Sequence, residues 1–162
     1  MFTVTSGVTN AAIANLTIQD GLGSGAAGQI SGGGIYNNGT LTVSNCTIVN
    51  NSAALGGGIE NDAGGILNLI NCTLSGNTAG QGGGIYNNSG TVNVEGSTVS
   101  GNSAGPSTSG GGIYNLGTLT VTSSTISANV TGFAGGGIYS PGAAQPTIAN
   151  SILSGNWVGT PA

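Results

Sequence analysis

Residues 82–102 read GGGIYNNSGTVNVEGSTVSGN, and this stretch contains both elements of a repeat that runs along most of the chain. The first element is a glycine triplet followed by isoleucine, and its isoleucines lie 24, 26, 28 and 25 residues apart: Ile35, Ile59, Ile85, Ile113 and Ile138. The second element is an apolar residue with asparagine three positions later. It occurs as Ile48/Asn51, Leu74/Asn77, Val99/Asn102, Ile126/Asn129 and Leu153/Asn156. Such a period is typical of solenoid proteins, in which each repeat forms one structural unit.

Between the two elements of each repeat, apolar residues occupy every second position. The pairs are Leu41/Val43, Leu67/Leu69, Val92/Val94 and Leu119/Val121. This alternation predicts short strands with one buried face, and no segment has the apolar spacing of a helix. A coil of about 25 residues cannot bury its apolar face alone, but coils stacked about 4.8 Å apart form a continuous core and pair their backbones. The sequence therefore predicts an all-β, parallel β-solenoid of about six coils.

We expect one domain over residues 1–162. Residues 1–30 would form a degenerate first coil that contains Ile13, Leu16 and Ile18, residues 31–156 would form five regular coils, and residues 157–162 the C-terminal end. The core is expected to contain the five triplet isoleucines in a single interior row, and the fold prediction depends on this alignment.

Two sets of asparagines are predicted to form structural columns. Stacked Asn side chains at a turn can bond along the stack and tolerate left-handed backbone. One column contains Asn51, Asn77, Asn102, Asn129 and Asn156. The other contains Asn37, Asn61, Asn87 and Asn115, and Ser140 occupies the next place.

Composition excludes several classes of partner. The chain has 34 glycines, no Lys, Arg or His, and four acidic residues, which give a formal net charge of −4. Because phosphate binding depends on Lys and Arg, we expect no nucleic-acid partner. The sequence has no run of about 18 apolar residues, so no membrane span is expected.

The repeat resembles those of known bacterial proteins. Gly-Gly-Gly-Ile alternating with apolar-x-x-Asn is similar to the repeats of chlamydial-type polymorphic outer membrane proteins. Gly-Gly-Gly-Ile-Tyr-Asn and Gly-Thr-Leu-Thr-Val are similar to motifs of bacterial secreted right-handed β-helix repeat proteins. The resemblance covers about residues 30–156, and it implies a right-handed parallel β-helix in an exported surface protein, such as an adhesin or an autotransporter passenger.

The acidic residues do not indicate catalysis. Enzymes with this fold use Asp and Glu clusters, usually with basic residues, for acid and base chemistry. Glu60 and Asp62 lie two residues apart, whereas Glu95 falls in a different column. We interpret them as solvated carboxylates, so we expect no enzyme activity, no cofactor and no dedicated metal site. Incidental cation binding at Glu60 and Asp62 stays open.

Cys46 and Cys72 fall at the same place in consecutive coils, in a column that continues with Ser97, Ser124 and Ser151. Stacked positions have a Cα separation compatible with a disulfide. Two buried free thiols in a column of small residues are the alternative, and it is slightly favoured.

Threonine and tyrosine also form columns that suggest surfaces for binding. The threonines are Thr40, Thr42, Thr91, Thr118 and Thr120, beside a second column at Thr17, Thr47, Thr73, Thr98 and Thr125. Such arrays resemble the faces of ice-binding proteins, although exposed strand positions commonly carry Thr. The tyrosines are Tyr36, Tyr86, Tyr114 and Tyr139, with Glu60 in the second coil. This row could stack on sugars or on another protomer, or it is simple packing along the stack.

Neither end of the predicted solenoid has an obvious cap, and repeat proteins normally cap their ends. Because the chain also has little charge to oppose association, we expect an extracellular or bacterial cell-surface structural protein. Its partner would be itself, in a filament that assembles end to end or laterally. The alternatives are an adhesin that binds glycans or a host surface, and an ice-binding module.

Overall fold

A computed structural model describes residues 1–23, 31–142 and 145–159 of the chain. In these ranges the regular elements are the strands β1 to β23. Successive strands belong to different sheets, and the chain passes through up to four parallel sheets before it returns to the first. The predicted all-β parallel β-helix is therefore confirmed. Parts of the predicted first coil (24–30) and of the C-terminal end (160–162) lie outside the described residues.

In the five coils that contain a glycine triplet, the strands of sheets I and II follow the triplet. Sheet I contains β1 (Phe2–Val4), β4 (Ile35–Asn37), β8 (Ile59–Asn61), β12 (Ile85–Asn87), β16 (Ile113–Asn115) and β20 (Ile138–Tyr139). Sheet II contains β2 (Ala11–Ala14), β5 (Thr40–Ser44), β9 (Ile66–Ile70), β13 (Thr91–Glu95), β17 (Thr118–Thr122) and β21 (Thr147–Ala149).

Sheets III and IV complete the coil. Sheet III contains β3 (Thr17–Gln19), β6 (Thr47–Val49), β10 (Thr73–Ser75), β14 (Thr98–Ser100), β18 (Thr125–Ser127) and β22 (Ile152–Ser154). Sheet IV contains β7 (Ser52–Leu55), β11 (Thr78–Gln81), β15 (Ser103–Ala104), β19 (Val130–Thr131) and β23 (Trp157–Val158). Sheet IV therefore extends the stack past residue 156, where the sequence predicts the end of the regular coils.

Equivalent residues of consecutive coils pair directly, so the core consists of straight rows. Ile35 pairs with Ile59, which pairs with Ile85, and the row continues to Ile113 and Ile138. The first four of these isoleucines are fully buried. The five isoleucines therefore form one row that is interior at its first four positions, and the alternating apolar residues of sheet II form two parallel rows beside it.

Each coil turns at residues with left-handed backbone. One such corner lies between sheets II and III, at Asn15, Asn45, Asn71, Gly96, Ser123 and Asn150, whose φ angles are 49–59°. A second lies between sheets III and IV, at Asp20, Asn50, Gly76, Gly101, Ala128 and Gly155. Asn and Gly are frequent here because they adopt positive φ at the lowest steric cost.

The glycine triplet forms a third corner and brings neighbouring coils close together. Its first glycine has positive φ, for example 63° at Gly82. A Cβ on the middle glycine, Gly83, would collide with the backbone of Ser103 and of Gly111 in the next coil. This close approach explains why three glycines recur together.

Candidate functional site

The first asparagine column is a hydrogen-bonded ladder. Each side-chain amide donates to the Oδ1 atom of the next asparagine at 2.9–3.0 Å, from Asn51 through Asn77, Asn102 and Asn129 to Asn156. The same Oδ1 also accepts the backbone N–H of the preceding asparagine. The amide donates again to a backbone carbonyl of the coil before, as Asn77 does to Ile48. Each of the first four asparagines therefore joins three coils, and Asn156 joins two.

The second asparagine column is a similar ladder at the corner between sheets I and II. Its amides donate from Asn37 to Asn61, Asn87 and Asn115 at 2.7–2.9 Å, and Asn115 then donates to the Ser140 hydroxyl. Each amide also bonds a carbonyl of its own turn, such as that of Gly39.

A third hydrogen-bonded ladder runs through the column of cysteines and serines. The sequence predicts this column but not its hydrogen bonds. The backbone N–H groups of Cys72, Ser97 and Ser124 each donate to the serine hydroxyl one coil further on, at 2.9–3.1 Å. Each hydroxyl donates in turn to the carbonyl two residues before it, as Ser97 does to Glu95. The sequence signal for these hydrogen bonds is the recurrence of serine at one position of the repeat.

Cys46 and Cys72 are free thiols that take the place of these hydroxyls. Cys46 Sγ donates to the Ser44 carbonyl and Cys72 Sγ to the Ile70 carbonyl, again two residues before each cysteine. Both are 2% exposed, and burial raises the pKa of Cys72. The geometry therefore corresponds to the buried thiol pair rather than to the disulfide.

The three ladders start and stop differently at the two ends of the stack. In the first coil the ladder positions carry Val4, Leu16 and Gly21, which provide no side-chain acceptor. In the last coil they still carry Ser140, Ser151 and Asn156. In the first and third ladders the backbone N–H groups donate to the coil that follows, so those of Ser151 and Asn156 face the end of the described stack.

The last coil exposes side chains that are interior elsewhere. Ile148 pairs with Val121 and Leu153 with Ile126, both of which are fully buried. Ile148 is nevertheless 42% exposed and Leu153 46%. They line an open depression of about 510 Å³ together with Ile138. At the other end Val4 and Ile18 are buried, although Phe2 and Leu16 are exposed.

The tyrosine row lies on the outer face of sheet I. Tyr86 and Tyr114 stack with ring centroids 5.2 Å apart, and Tyr139 follows at 5.1 Å from Tyr114. Tyr86 is only 8% exposed. A ligand could therefore reach little of the Tyr86 ring, while Tyr36 and Tyr114 are half-buried.

Glu60 does not match the interpretation that all the acids are solvated. It pairs with Tyr36 on one side and Tyr86 on the other, and it is 3% exposed because this row of side chains packs closely. Burial raises the pKa of Glu60 to about 7, and the negative charge of Asp62 adds to the increase, while a hydrogen bond with Ser31 opposes it.

Asp62 is held in a network beside Glu60. It accepts hydrogen bonds from the Tyr36 hydroxyl, the Ala63 N–H and the Asn88 amide. Although burial opposes ionisation, these donors lower the pKa of Asp62. Burial, the bond to Asp62 and the charges of both acids raise the pKa of Tyr36 to about 12.

The threonines occupy regular outward positions. In sheet III, Thr17, Thr47, Thr73, Thr98 and Thr125 pair in register over five consecutive coils. In sheet II the paired array Thr40/Thr42 is interrupted at Ile66/Asn68 and resumes at Thr91/Asn93 and Thr118/Thr120. The sheet III row is therefore the more regular of the two.

Stacked coils, in-register parallel sheets and side-chain ladders define the class of parallel β-solenoid proteins. A family model described as a right-handed β-helix region matches residues 3–160, so the chain belongs to the right-handed β-helix family. The family includes enzymes, such as pectate lyases and glycosidases, and proteins without enzyme activity. No curated protein and no solved structure matches the chain. Within the described ranges, no helix is long and apolar enough to cross a membrane.

Proposed function

We propose that this protein is an extracellular, non-enzymatic structural protein that assembles by stacking the C-terminal coil of one copy on the first coil of the next. A single observation carries this proposal: the last coil exposes Ile148 and Leu153, which occupy interior rows. A β-helix fold is compatible with structural and adhesin-like roles. The resemblance to exported bacterial repeat proteins supports a location outside the cell or on its surface.

A second copy fits the open end because its first coil offers the same strand direction and the same rows. Ile148 would meet the half-buried Ile13, and the edge strands of sheets I to III would continue in parallel. Unpaired strand edges are templates for such addition. With a formal net charge of −4 and no basic residues, the chain has little electrostatic repulsion to overcome.

The joint between copies should be weaker than the contact between coils within a copy. Ser151 would face Leu16 and Asn156 would face Gly21, so the ladders that end at these two residues would be interrupted. Each donor left without a partner costs about 1–3 kcal/mol. We therefore expect assembly to be reversible and to require high protein concentration.

Sedimentation velocity over a range of concentrations tests the proposal, with electron microscopy of the concentrated sample. The wild-type protein should form elongated oligomers, and Leu153→Asp should abolish them by placing a charge in the joint. Ile66→Asp is the matched control, because Ile66 is 40% exposed on the outer face of sheet II, away from the ends. Dispersed monomers at all concentrations, or unchanged assembly of Leu153→Asp with an intact thermal transition, would contradict the proposal.

The threonine row of sheet III supports a second candidate function, binding to ice. Five threonines repeat at the coil spacing of about 4.8 Å on an uncharged face. A thermal hysteresis assay tests this candidate: Thr98→Lys should remove activity, whereas Thr118→Lys in sheet II should retain it. Absence of hysteresis in the wild-type protein would remove this candidate and leave glycan binding at the tyrosine row as the alternative use of the long faces.

A further inference from the structure

One carboxylate oxygen stands out in a stack whose polar groups are otherwise bonded. Among the described residues, Glu60 Oε2 is the buried side-chain oxygen or nitrogen atom without a hydrogen-bond partner. Only 3% of the Glu60 surface is exposed to solvent. Burying a carboxylate oxygen without a partner is costly, and in native proteins such an atom commonly marks a bound ion or water.

The groups around Glu60 indicate that the partner missing from its carboxylate is a cation. Glu60 lies beside Tyr36 in sheet I, and the Tyr36 hydroxyl donates to Asp62, so the three groups share one region. The chain has no Lys, Arg or His that could neutralise them. Any cationic partner at this place would therefore come from outside the chain.

The available ligand atoms are all oxygens. Besides Glu60 Oε2, they include the Asp62 carboxylate, which the Tyr36 hydroxyl, the Ala63 N–H and the Asn88 amide hold in a fixed orientation. The Ser31 hydroxyl bonds Glu60 from the coil before. Oxygen-only donors in an irregular arrangement suit Ca²⁺, whereas Zn²⁺ prefers nitrogen and sulfur.

We propose that Glu60 and Asp62 form a Ca²⁺ site on the outer face of sheet I. Asp62 is only half-buried and provides the side from which the ion enters. The described residues contain no group of three or more Asp, Glu, His or Cys side chains that could hold a metal. Two carboxylates imply weak binding, with a Kd of about 10⁻⁴–10⁻³ M, the range of extracellular calcium modules.

A proton competes with Ca²⁺ for Glu60, because burial raises the pKa of this acid to about 7. Calcium binding is therefore measured at pH 8.5.

Terbium luminescence tests the proposal directly on the full chain. Tb³⁺ replaces Ca²⁺ at oxygen sites, and its emission is sensitised by a nearby excited tyrosine, here Tyr36 or Tyr86. We expect sensitised emission at pH 8.5 that CaCl₂ displaces. Glu60→Gln and Asp62→Asn should each weaken binding at least tenfold, and the exposed acid Glu95 provides the control variant Glu95→Gln, which should bind as the wild type does.

Thermal unfolding gives a second, independent measurement. Ca²⁺ at ten times its Kd should raise the Tm of the wild-type protein by about 3 °C at pH 8.5. The increase should disappear in Glu60→Gln, which remains folded because the amide is nearly isosteric with the acid. Equal calcium responses in Glu60→Gln and the wild type, or no response at pH 8.5, would overturn the proposal. The outcome is independent of the assembly state of the protein.

Discussion

Glu60 differs in chemistry from the other residues of its column in sheet I. The equivalent residues are tyrosines in four other coils, and two of them, Tyr36 and Tyr86, flank Glu60. A carboxylate at this position is at least as buried as the tyrosines, but it lacks the apolar surface whose burial is favourable. Its ionisation is therefore coupled to folding.

The raised pKa of Glu60 predicts a stability that falls as pH rises. The folded state binds this proton up to a pKa of about 7, whereas the unfolded chain releases it near the ordinary value of 4.5. The stabilisation is complete below pH 4.5 and is lost between pH 4.5 and about pH 7. The loss is roughly 3 kcal/mol. Urea unfolding across this range in the presence of EGTA measures it, and Glu60→Gln should flatten the profile.

Cys72 supports a prediction about the third ladder. Serine already occupies this place in later coils, so Cys72→Ser should change the free energy of unfolding by less than about 1 kcal/mol. Cys72→Val has a similar volume but no acceptor for the Cys46 N–H, which bonds the thiol. We expect it to cost about 1–3 kcal/mol. Denaturant unfolding of both variants makes the comparison, and equal stability of the two would argue against a ladder role for the thiol.

At the scale of the strands and corners, the ladders hold neighbouring coils in register. A parallel stack of short strands has few residues per sheet in each coil, so a slip by one residue would exchange interior and exterior side chains. The asparagine bonds occur once per coil at fixed places. They therefore penalise any other register.

Removing an interior ladder residue should be more damaging than removing a terminal one. Asn77→Ala would leave the Asn51 N–H and the Ile48 carbonyl without their partners. The expected cost is about 3–5 kcal/mol, because several buried groups are orphaned together. Asn156→Ala, at the half-buried end of the same ladder, should cost less than half as much. Chemical denaturation of the two variants tests the order, which a purely local role of asparagine in its own turn would not produce.

At the scale of the whole molecule, stability should vary along the stack. Repeat proteins behave as nearly one-dimensional chains of neighbouring contacts, and terminal repeats have one neighbour instead of two. The strand β12 (Ile85–Asn87) contacts coils on both sides, whereas β22 (Ile152–Ser154) contacts one and is exposed along its length.

Hydrogen exchange can measure this gradient. Amides of β12 and β13 should be protected at least a hundredfold more than those of β22 and β23, because the end coil opens without disturbing the centre. Mass spectrometry of peptic fragments gives the comparison. If the proposed end stacking occurs, the protection of β22 should rise selectively with protein concentration. Uniform exchange along the stack would indicate a single cooperative unit instead.

The sequence by itself determined the fold, because a solenoid places residues one repeat apart in direct contact, and columns can then be read from spacing alone. The triplet isoleucines and both asparagine columns follow from this rule. Only the tertiary structure decided three other features: the burial of Glu60, the hydrogen bonds of the cysteine and serine column, and the difference between the two ends of the stack. Each depends on which side chains cover a position and which way its donors point, and a repeat period contains neither kind of information.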